Sequence, residues 1–204
     1  MKNLKLILFT LILSGPILFS CKKDDNNTNQ TIKTFVVNAT SQTKWVYFSF
    51  DNNDTVKISN PTISNNWDLA FCRFNIKTNS GFSGNGIGGT YNSGKTGSTG
   101  FNQLITVPDT ATFTVDDSLF IPGAYGIIDT VITNSILSGW YNYDQTTNVL
   151  SSKNLIYIVK TATGKYVKLQ IVSYYNDTDP SLVTGSGYVK FNYFYQQNGS
   201  KSLQ

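Results

Sequence analysis

Short runs of β-branched and aromatic residues, separated by turn residues, occur along most of the chain from Thr31 to its end. Many of these runs alternate apolar with polar residues, as strands with one buried face do. No window of eleven residues shows the 3.6-residue period of an amphipathic helix. The runs cover residues 33–40, 44–50, 55–59, 66–78, 111–115, 154–161, 165–175 and 187–197. They predict an all-β fold, a single sandwich-like or irregular twisted barrel domain.

Two turns in this pattern predict hairpins. Thr163 and Gly164 lie between two apolar runs, and the sequence DNND at 51–54 lies between two others. Gly, Asn and Asp favour such tight connections because they tolerate the required backbone angles.

The first thirty residues have the features of an export signal and a linker. Residues 1–20 combine a short basic start with an apolar run too short to be a membrane anchor, as in a cleaved signal peptide. The sequence LFSC resembles a lipobox, which predicts acylation of Cys21 and attachment to a lipid bilayer. An ordinary signal peptide followed by a chance cysteine is the alternative. Residues 21–31 are polar and predict a flexible tether, followed by the β domain at 32–204. The KDD after Cys21 and Lys22 resembles the tag of outer-membrane lipoproteins that face the cell exterior.

Charge and composition argue against several function classes. The formal net charge is +4, Arg73 is the only arginine, and the lysines are scattered, so we expect no nucleic-acid binding. The chain has no histidine and no glutamate, which removes histidine-based catalysis and the usual zinc sites. We therefore expect no enzyme. The remaining enzymatic alternative is an aspartate pair drawn from Asp109, Asp116, Asp117, Asp129, Asp144 or similar residues.

The segment GTYNSGKT, at residues 89–96, matches the P-loop pattern at every fixed position. A P-loop requires a buried strand before it and a helix after it. The preceding NSGFSGNGIG is too rich in glycine for such a strand, and Gly97 and Gly100 disfavour the helix. We therefore expect no nucleotide binding.

The residue pattern at 66–78 predicts structural roles for several of its side chains. Trp67, Leu69 and Phe71 alternate onto one strand face and predict core positions. Arg73 would share that face and need a partner, and Cys72 is expected to be a buried, inert thiol. The glycines of the following loop are expected to supply turns with positive φ; they are Gly81, Gly84, Gly86, Gly88 and Gly89.

The stretch WDLAFCRFNIKTNSGFSGNGIGGTYNSGKT, at 67–96, resembles the HmuY family of bacterial haem-binding surface lipoproteins. The resemblance includes WVYFSF at 45–50, SGWYNY at 138–143, NLIYIVKTATGKYVKLQIVSYY at 154–175 and the closing GYVKFNYFY. It spans nearly the whole mature domain. The family implies a lipid-anchored haem binder that passes haem to an outer-membrane transporter.

This chain lacks the iron ligands that the resemblance implies. Family members hold haem iron with histidine or methionine, whereas this chain has no histidine and its one methionine is Met1. The position of the second histidine falls near Gln145. The remaining options are tyrosinate, cysteine thiolate or no protein ligand at all. Tyr125, Tyr141 and Tyr143 lie where the family's ligands fall, and Arg73 is the one arginine that could lower a phenol pKa.

We therefore expect the protein to bind haem or another porphyrin for haem and iron acquisition, without the family's histidine ligands. The alternative is a binding module for an iron-free porphyrin, a glycan or a partner protein. The aromatic content, 14% of residues, suits any flat ring-shaped ligand.

Overall fold

A computed structural model describes residues 31–122, 128–177 and 185–204. Within these ranges the elements follow one another in this order: β1 (Lys33–Asn38), β2 (Val46–Ser49), β3 (Asp54–Val56), β4 (Leu69–Cys72), β5 (Asn75–Thr78), β6 (Gly89–Thr96), α1 (Gly97–Gln103), β7 (Asp117–Pro122), β8 (Ile128–Thr133), α2 (Ser135–Ser138), β9 (Tyr141–Asp144), β10 (Val149–Ser152), β11 (Leu155–Lys160), β12 (Tyr166–Tyr175) and β13 (Ser186–Gln196). Neither helix in this part of the chain is long and apolar enough to cross a bilayer.

Two antiparallel sheets form the body of the domain. The larger sheet has the strand order β1-β13-β12-β11-β6, and the smaller one has the order β3-β2-β4-β5. The main core combines side chains of both sheets, among them Phe48, Leu69, Phe71, Tyr157, Leu169, Phe191 and Tyr193. Because both sheets contribute to one apolar layer, the predicted all-β, sandwich-like architecture is confirmed.

The larger sheet is buried on its other face as well. Ile156 and Ile158 alternate with the core residue Tyr157 along β11 and pack with Phe101 of α1 and with Phe194. This second core explains the near-continuous apolar sequence of β11, since a strand covered on both faces loses the alternating pattern.

Both predicted hairpin turns are confirmed. Residues 51–54 connect β2 to β3, with Asn53 at φ 53°, and Thr163–Gly164 lie in the connection between the antiparallel strands β11 and β12. The core positions predicted for Trp67, Leu69 and Phe71 are also confirmed, since all three side chains are fully buried.

The prediction of one continuous strand over 66–78 was wrong. The chain reverses at Arg73, whose φ is 53°, and β4 pairs antiparallel with β5. Arg73 therefore does not share the strand face of Phe71. Its guanidinium donates to the carbonyl oxygens of Thr40 and Ser186, at 3.3 and 3.2 Å, and these long-range bonds stabilise the turn.

The segment GTYNSGKT is the strand β6, at the edge of the larger sheet and paired with β11. Its amides near the pattern's lysine bond to neighbouring side chains: Gly94 N donates to Asn92 Oδ1 at 3.0 Å and Lys95 N to Ser93 Oγ at 3.2 Å. The expectation that no helix follows was wrong, because α1 begins at Gly97. The absence of nucleotide binding stays a prediction.

The segment 111–115, also predicted as a strand, forms only an isolated bridge between Thr114 and Thr90.

The loop between β5 and β6 is organised around one buried amide, Asn79. Its Nδ2 donates to the carbonyl oxygens of Ser64 and Trp67, at 2.7 and 2.9 Å, and its Oδ1 accepts from Gly86 N at 3.1 Å. Its backbone oxygen accepts from Gly88 N at 3.1 Å. One fully buried side chain thus satisfies backbone groups from two separate loops.

The glycines of this loop are required mainly by the space around Asn79. A Cβ on Gly84 would lie 2.1 Å from Asn79 Oδ1, and one on Gly86 would lie 2.6 Å from Asn79 O. The expected positive φ is confirmed for Gly81 and Gly89 but is wrong for the glycines between them. Close approach to Asn79, and not backbone handedness, is the reason for glycine at those intervening positions.

Gly84→Ala should lower the free energy of unfolding by about 2–4 kcal/mol, because the added methyl overlaps the Asn79 amide. Gly139→Ala is the matched control, since its nearest neighbour would be 3.7 Å away. We expect the control to change stability by less than about 1 kcal/mol in urea unfolding. Equal losses in the two variants would contradict this explanation.

Asp68 connects the two sheets. Its Oδ2 accepts from Phe50 N at 2.9 Å, just after β2, and its Oδ1 accepts from Ala162 N at 3.0 Å, in the turn after β11. Burial raises the pKa of Asp68 to about 6, while the two backbone hydrogen bonds oppose this shift. The native state therefore binds a proton between about pH 6 and 4 that the unfolded chain does not bind.

The sign of the pH effect follows from the raised pKa. Stability contributed by Asp68 is greatest below the unfolded pKa and is lost as pH rises through 6. From pH 4.5 to 7.5 this contribution should fall by about 2 kcal/mol. In Asp68→Asn, the free energy of unfolding measured in urea should therefore fall by about 2 kcal/mol less over this pH range than it does in the wild-type protein. An unchanged slope in this variant would refute the assignment.

Candidate ligand-binding site

Two hairpins lie outside the strand pairing of the two main sheets and are consecutive in the chain. The first hairpin is β7 with β8, the second is β9 with β10, and each forms a two-stranded sheet of its own. Residues 134–140, which include α2, connect them. Of the predicted ligand positions, Tyr141, Tyr143 and Gln145 belong to the second hairpin or its turn.

Hydrogen bonds to β5 hold the base of the first hairpin. Thr133 Oγ1 donates to the carbonyl oxygen of Ile76 at 2.6 Å, and Asn134 N donates to the same oxygen at 3.1 Å. The side-chain oxygen of Asn134 then accepts from the amides of Ile136 and Leu137, which caps the N-terminus of α2.

The base of the second hairpin is held next to the base of the first. Trp140 is buried and its Nε1 donates to the carbonyl oxygen of Phe74 at 3.0 Å, while Lys153 N donates to Trp140 O at 3.0 Å. Phe74 and Ile76 are two residues apart. Because an extended chain rises about 3.3 Å per residue, the two hairpins originate within about 7 Å along one segment.

A buried carboxylate fixes the start of β7. Asp116 Oδ2 accepts from Thr78 N at 2.8 Å, and Oδ1 accepts from Thr78 Oγ1 at 2.5 Å and from Asn134 Nδ2 at 3.0 Å. Burial raises the pKa of Asp116, and the hydrogen bonds from Thr78 and Asn134 act in the opposite direction. These bonds join β5, β7 and the α2 cap in one network.

The first hairpin has apolar side chains on both of its faces. Leu119 lines a cleft of ≈ 710 Å³, together with Phe82, Phe113 and Val115 of the adjoining loops. Phe120 follows Leu119 and so points to the opposite face, where 77% of its surface is exposed. The hairpin therefore offers an exposed aromatic ring on the face opposite the cleft.

The predicted ligand residues are placed as follows. Tyr125 lies outside the described residues. Tyr141 is half-buried, with ring centroids 5.6 Å from Phe74 and 5.1 Å from Trp140, and burial raises its pKa. Tyr143 is exposed and its hydroxyl donates to Asn148 Oδ1 at 2.6 Å. Gln145 is exposed beyond the end of β9. Of the predicted ligand tyrosines that the structure describes, Tyr143 is therefore the exposed one.

The other predicted participants lie elsewhere. Cys72 is buried, its thiol donates to Ser41 O at 3.5 Å, and burial raises its pKa, as expected for an inert thiol. The guanidinium carbon of Arg73 lies 5.4 Å from the ring centroid of Tyr174, and not over a predicted ligand tyrosine. Residues 31–122, 128–177 and 185–204 contain no cluster of three metal-binding His, Cys, Asp or Glu side chains.

The sequence interpretation missed Phe120, the structural role of Asp116, which it named only as a candidate for an enzymatic aspartate pair, and the residues that hold the hairpin bases. One signal was available: Asn134 precedes a short apolar segment, as N-cap residues do. The sequence does not reveal that Phe120 is exposed. The alternation of apolar and polar residues around it also occurs in strands whose apolar face is covered.

Several solved structures share this fold. One is an HmuY-like candidate haem-binding protein from Bacteroides vulgatus ATCC 8482, with 21% identity and a TM-score of 0.60 over 82% of this chain and 93% of that one. Another is a candidate lipoprotein from Bacteroides fragilis NCTC 9343, with 21% identity and a TM-score of 0.59 over 83% and 93% of the two chains. The apo HmuY analog of Tannerella forsythia has 17% identity and a TM-score of 0.60 over 81% and 96%.

None of the curated proteins matches the chain in sequence. The family model described as HmuY protein matches residues 41–193, which is more than half of the chain. This match includes both hairpins and every strand of the two sheets except β1 and the last residues of β13, and it agrees with the shared fold. The chain belongs to the HmuY protein family.

Proposed function

We propose that this protein is a non-enzymatic outer-surface lipoprotein that binds haem or a related tetrapyrrole for haem and iron acquisition. The observation that carries the proposal is the pair of hairpins anchored to the carbonyls of Phe74 and Ile76, one of them with an uncovered aromatic ring. Membership of the HmuY family and the structural likeness to an HmuY-like candidate haem-binding protein support it.

The described side chains fit the flat ring of a tetrapyrrole better than they fit its iron. Phe120 offers an exposed aromatic face, and Ile132 lies on the same face of the hairpin, two residues from Thr130, the residue paired with Phe120. Tyr143, 52% exposed, provides a second ring on the neighbouring hairpin. Large apolar contacts of this kind are the main source of affinity in small-molecule sites.

Iron ligation would fall to a phenol. The chain has no histidine, and Met1 lies in the predicted signal peptide. Tyr125 and Tyr143 are the proposed ligands, because Tyr141 packs between rings and burial raises its pKa, which disfavours its phenolate form. Gln145 is a weak candidate, since an amide is a poor ligand for haem iron.

Attachment to the membrane is proposed to occur through acylated Cys21 and the polar tether at 21–31. The likeness to a candidate lipoprotein of Bacteroides fragilis supports this placement. A surface position at the outer membrane would allow the bound tetrapyrrole to pass to an outer-membrane transporter, the proposed protein partner. We propose no role for nucleic acid or nucleotide.

A second candidate function is a module for a ligand other than haem, such as an iron-free porphyrin, a glycan or a protein. One observation favours a glycan in particular. A polar cleft of ≈ 680 Å³ lies beside the β2–β3 hairpin, lined by Asn52, Asn65, Asn66, Val56 and Ile58 among others. Amide side chains next to small apolar ones suit the hydroxyl groups and the C–H faces of a sugar.

Haem should bind with a high-spin or five-coordinate spectrum, and metal-free protoporphyrin should bind within about tenfold of the haem affinity, about 1.4 kcal/mol. Absorbance and fluorescence titrations measure both. Tyr125→Phe, followed by Tyr143→Phe, should alter the ferric spectrum, whereas Tyr166→Phe in β12 is the matched control. A sharply saturating low-spin, six-coordinate spectrum would contradict the proposed ligation.

Phe120→Ala should weaken both porphyrins about tenfold, because contacts to the ring carry the energy. Ile63→Ala removes a comparably exposed apolar side chain from a different loop and should have no effect. The absence of spectral change with either porphyrin in the wild-type protein would refute the tetrapyrrole proposal and favour the second candidate.

Cys21→Ala should release the protein from the membrane, since acyl chains supply the anchoring energy. Fractionation of cells that produce the variant, compared with a Cys72→Ala control, measures this effect. Continued sedimentation of Cys21→Ala with membranes would exclude the lipid anchor.

A further inference from the structure

The two hairpins and their connection carry few positive charges. From residue 117 to residue 154 the sequence contains three aspartates, Asp117, Asp129 and Asp144, and a single cationic residue, Lys153. The natural tetrapyrroles are anions because of their carboxylate substituents. A site that recognised these carboxylates would need lysine or arginine near the hairpins.

The cations closest in sequence to the residues that hold the hairpin bases each have another contact. Lys153 Nζ donates to Gly139 O at 3.0 Å. Arg73, next to Phe74, donates to Thr40 O, Ser186 O and Ser186 Oγ. Lys77, next to Ile76, lies 4.0 Å from the ring centroid of Trp45. Of the three, Lys153 is exposed and its ammonium has N–H donors beyond the one bonded to Gly139 O, so it is the cation that one ligand carboxylate could pair with.

The uncovered face of the first hairpin is uncharged where its side chains are described. Alternation along the two strands places Ser118 and Phe120 on this face with Thr130 and Ile132 of β8. Asp117 lies with Leu119 on the opposite face, where both line the cleft. The Phe120 face can therefore contact an apolar ring but offers no counter-ion.

Asp144, at the end of β9, adds a negative charge at the tip of the second hairpin. Its Oδ1 accepts from Thr146 N at 2.8 Å, and this backbone hydrogen bond lowers its pKa, so the group stays ionised at neutral pH. Repulsion between such exposed charges acts over roughly 8 Å at physiological ionic strength and is weakened by added salt.

From these observations we propose that the site selects tetrapyrroles with few carboxylates, holding them by the ring face while their carboxylates remain in solvent. This inference rests on the proposed function and specifies its ligand class. Each carboxylate beyond the one that Lys153 could pair with adds repulsion from Asp144 and gains no ion pair on the hairpins. Affinity should therefore fall as the number of carboxylates on the ring rises.

The test uses three metal-free porphyrins that differ in their number of carboxylates: protoporphyrin IX with two, coproporphyrin III with four and uroporphyrin III with eight. Fluorescence titrations of the purified protein at low and high sodium chloride give the affinities. We expect protoporphyrin to bind at least about tenfold more tightly than uroporphyrin at low salt, and added salt to reduce this ratio.

Charge variants separate electrostatic repulsion from poor steric fit. Asp144→Asn should strengthen uroporphyrin binding about twofold to fivefold and leave protoporphyrin within twofold. Asp109→Asn is the control, because that aspartate pairs with Lys201 outside the hairpins. Lys153→Gln should leave protoporphyrin binding within twofold.

Two results would overturn the inference while leaving the proposed function intact: uroporphyrin binding most tightly, or added salt weakening all three porphyrins. A tenfold loss of protoporphyrin affinity in Lys153→Gln would also overturn it, because that loss would identify an ion pair with a ligand carboxylate. If none of the three porphyrins binds, the proposed function itself fails.

Discussion

The position of the two hairpins depends on a carboxylate, Asp116, that is buried and forms no ion pair among the described residues. A buried charge of this kind is costly unless hydrogen-bond donors surround it, and here Thr78 and Asn134 supply them. Because Asn134 also caps α2, the same network sets where β8 ends and where the segment leading to β9 begins. The geometry of the proposed site thus follows from the need to satisfy one buried acid.

The sequence predicts the sandwich well, because the features that define it are local. Alternating apolar residues identify most strands of the two sheets, and turn residues identify the connections at 51–54 and 163–164. The reversal at Arg73 could not be predicted in this way. Its positive φ is stabilised by carbonyl groups 33 and 113 positions away, and the apolar pattern continues on both sides of it. Helix α1 likewise has a glycine-rich sequence with low helix propensity, and the packing of Phe101 in the second core stabilises it.

The site was predictable only in part, for a related reason. The tyrosines could be chosen by residue type and by resemblance, and the hairpins do contain Tyr141 and Tyr143. However, the bases of the hairpins are held by the backbone oxygens of Phe74 and Ile76, and every residue type offers such an acceptor. The glycines around Asn79 show the same limitation. Their positions are visible in the sequence, but the buried amide that requires them is identified only when the loop is seen folded around it.

Among the described strands, β7 and β8 of the first hairpin pair only with each other, and this gives the hairpin a local stability of its own. Central strands of the two main sheets lose their amide protection only when large parts of the apolar core open, whereas a two-stranded ribbon outside those sheets can open without disturbing that core. The amides of Ser118, Phe120 and Thr130 therefore belong to a small opening unit of low local stability. Any molecule that rests on the Phe120 face would raise the free energy of that opening alone, so hydrogen exchange would register occupancy there while the sandwich remained unchanged.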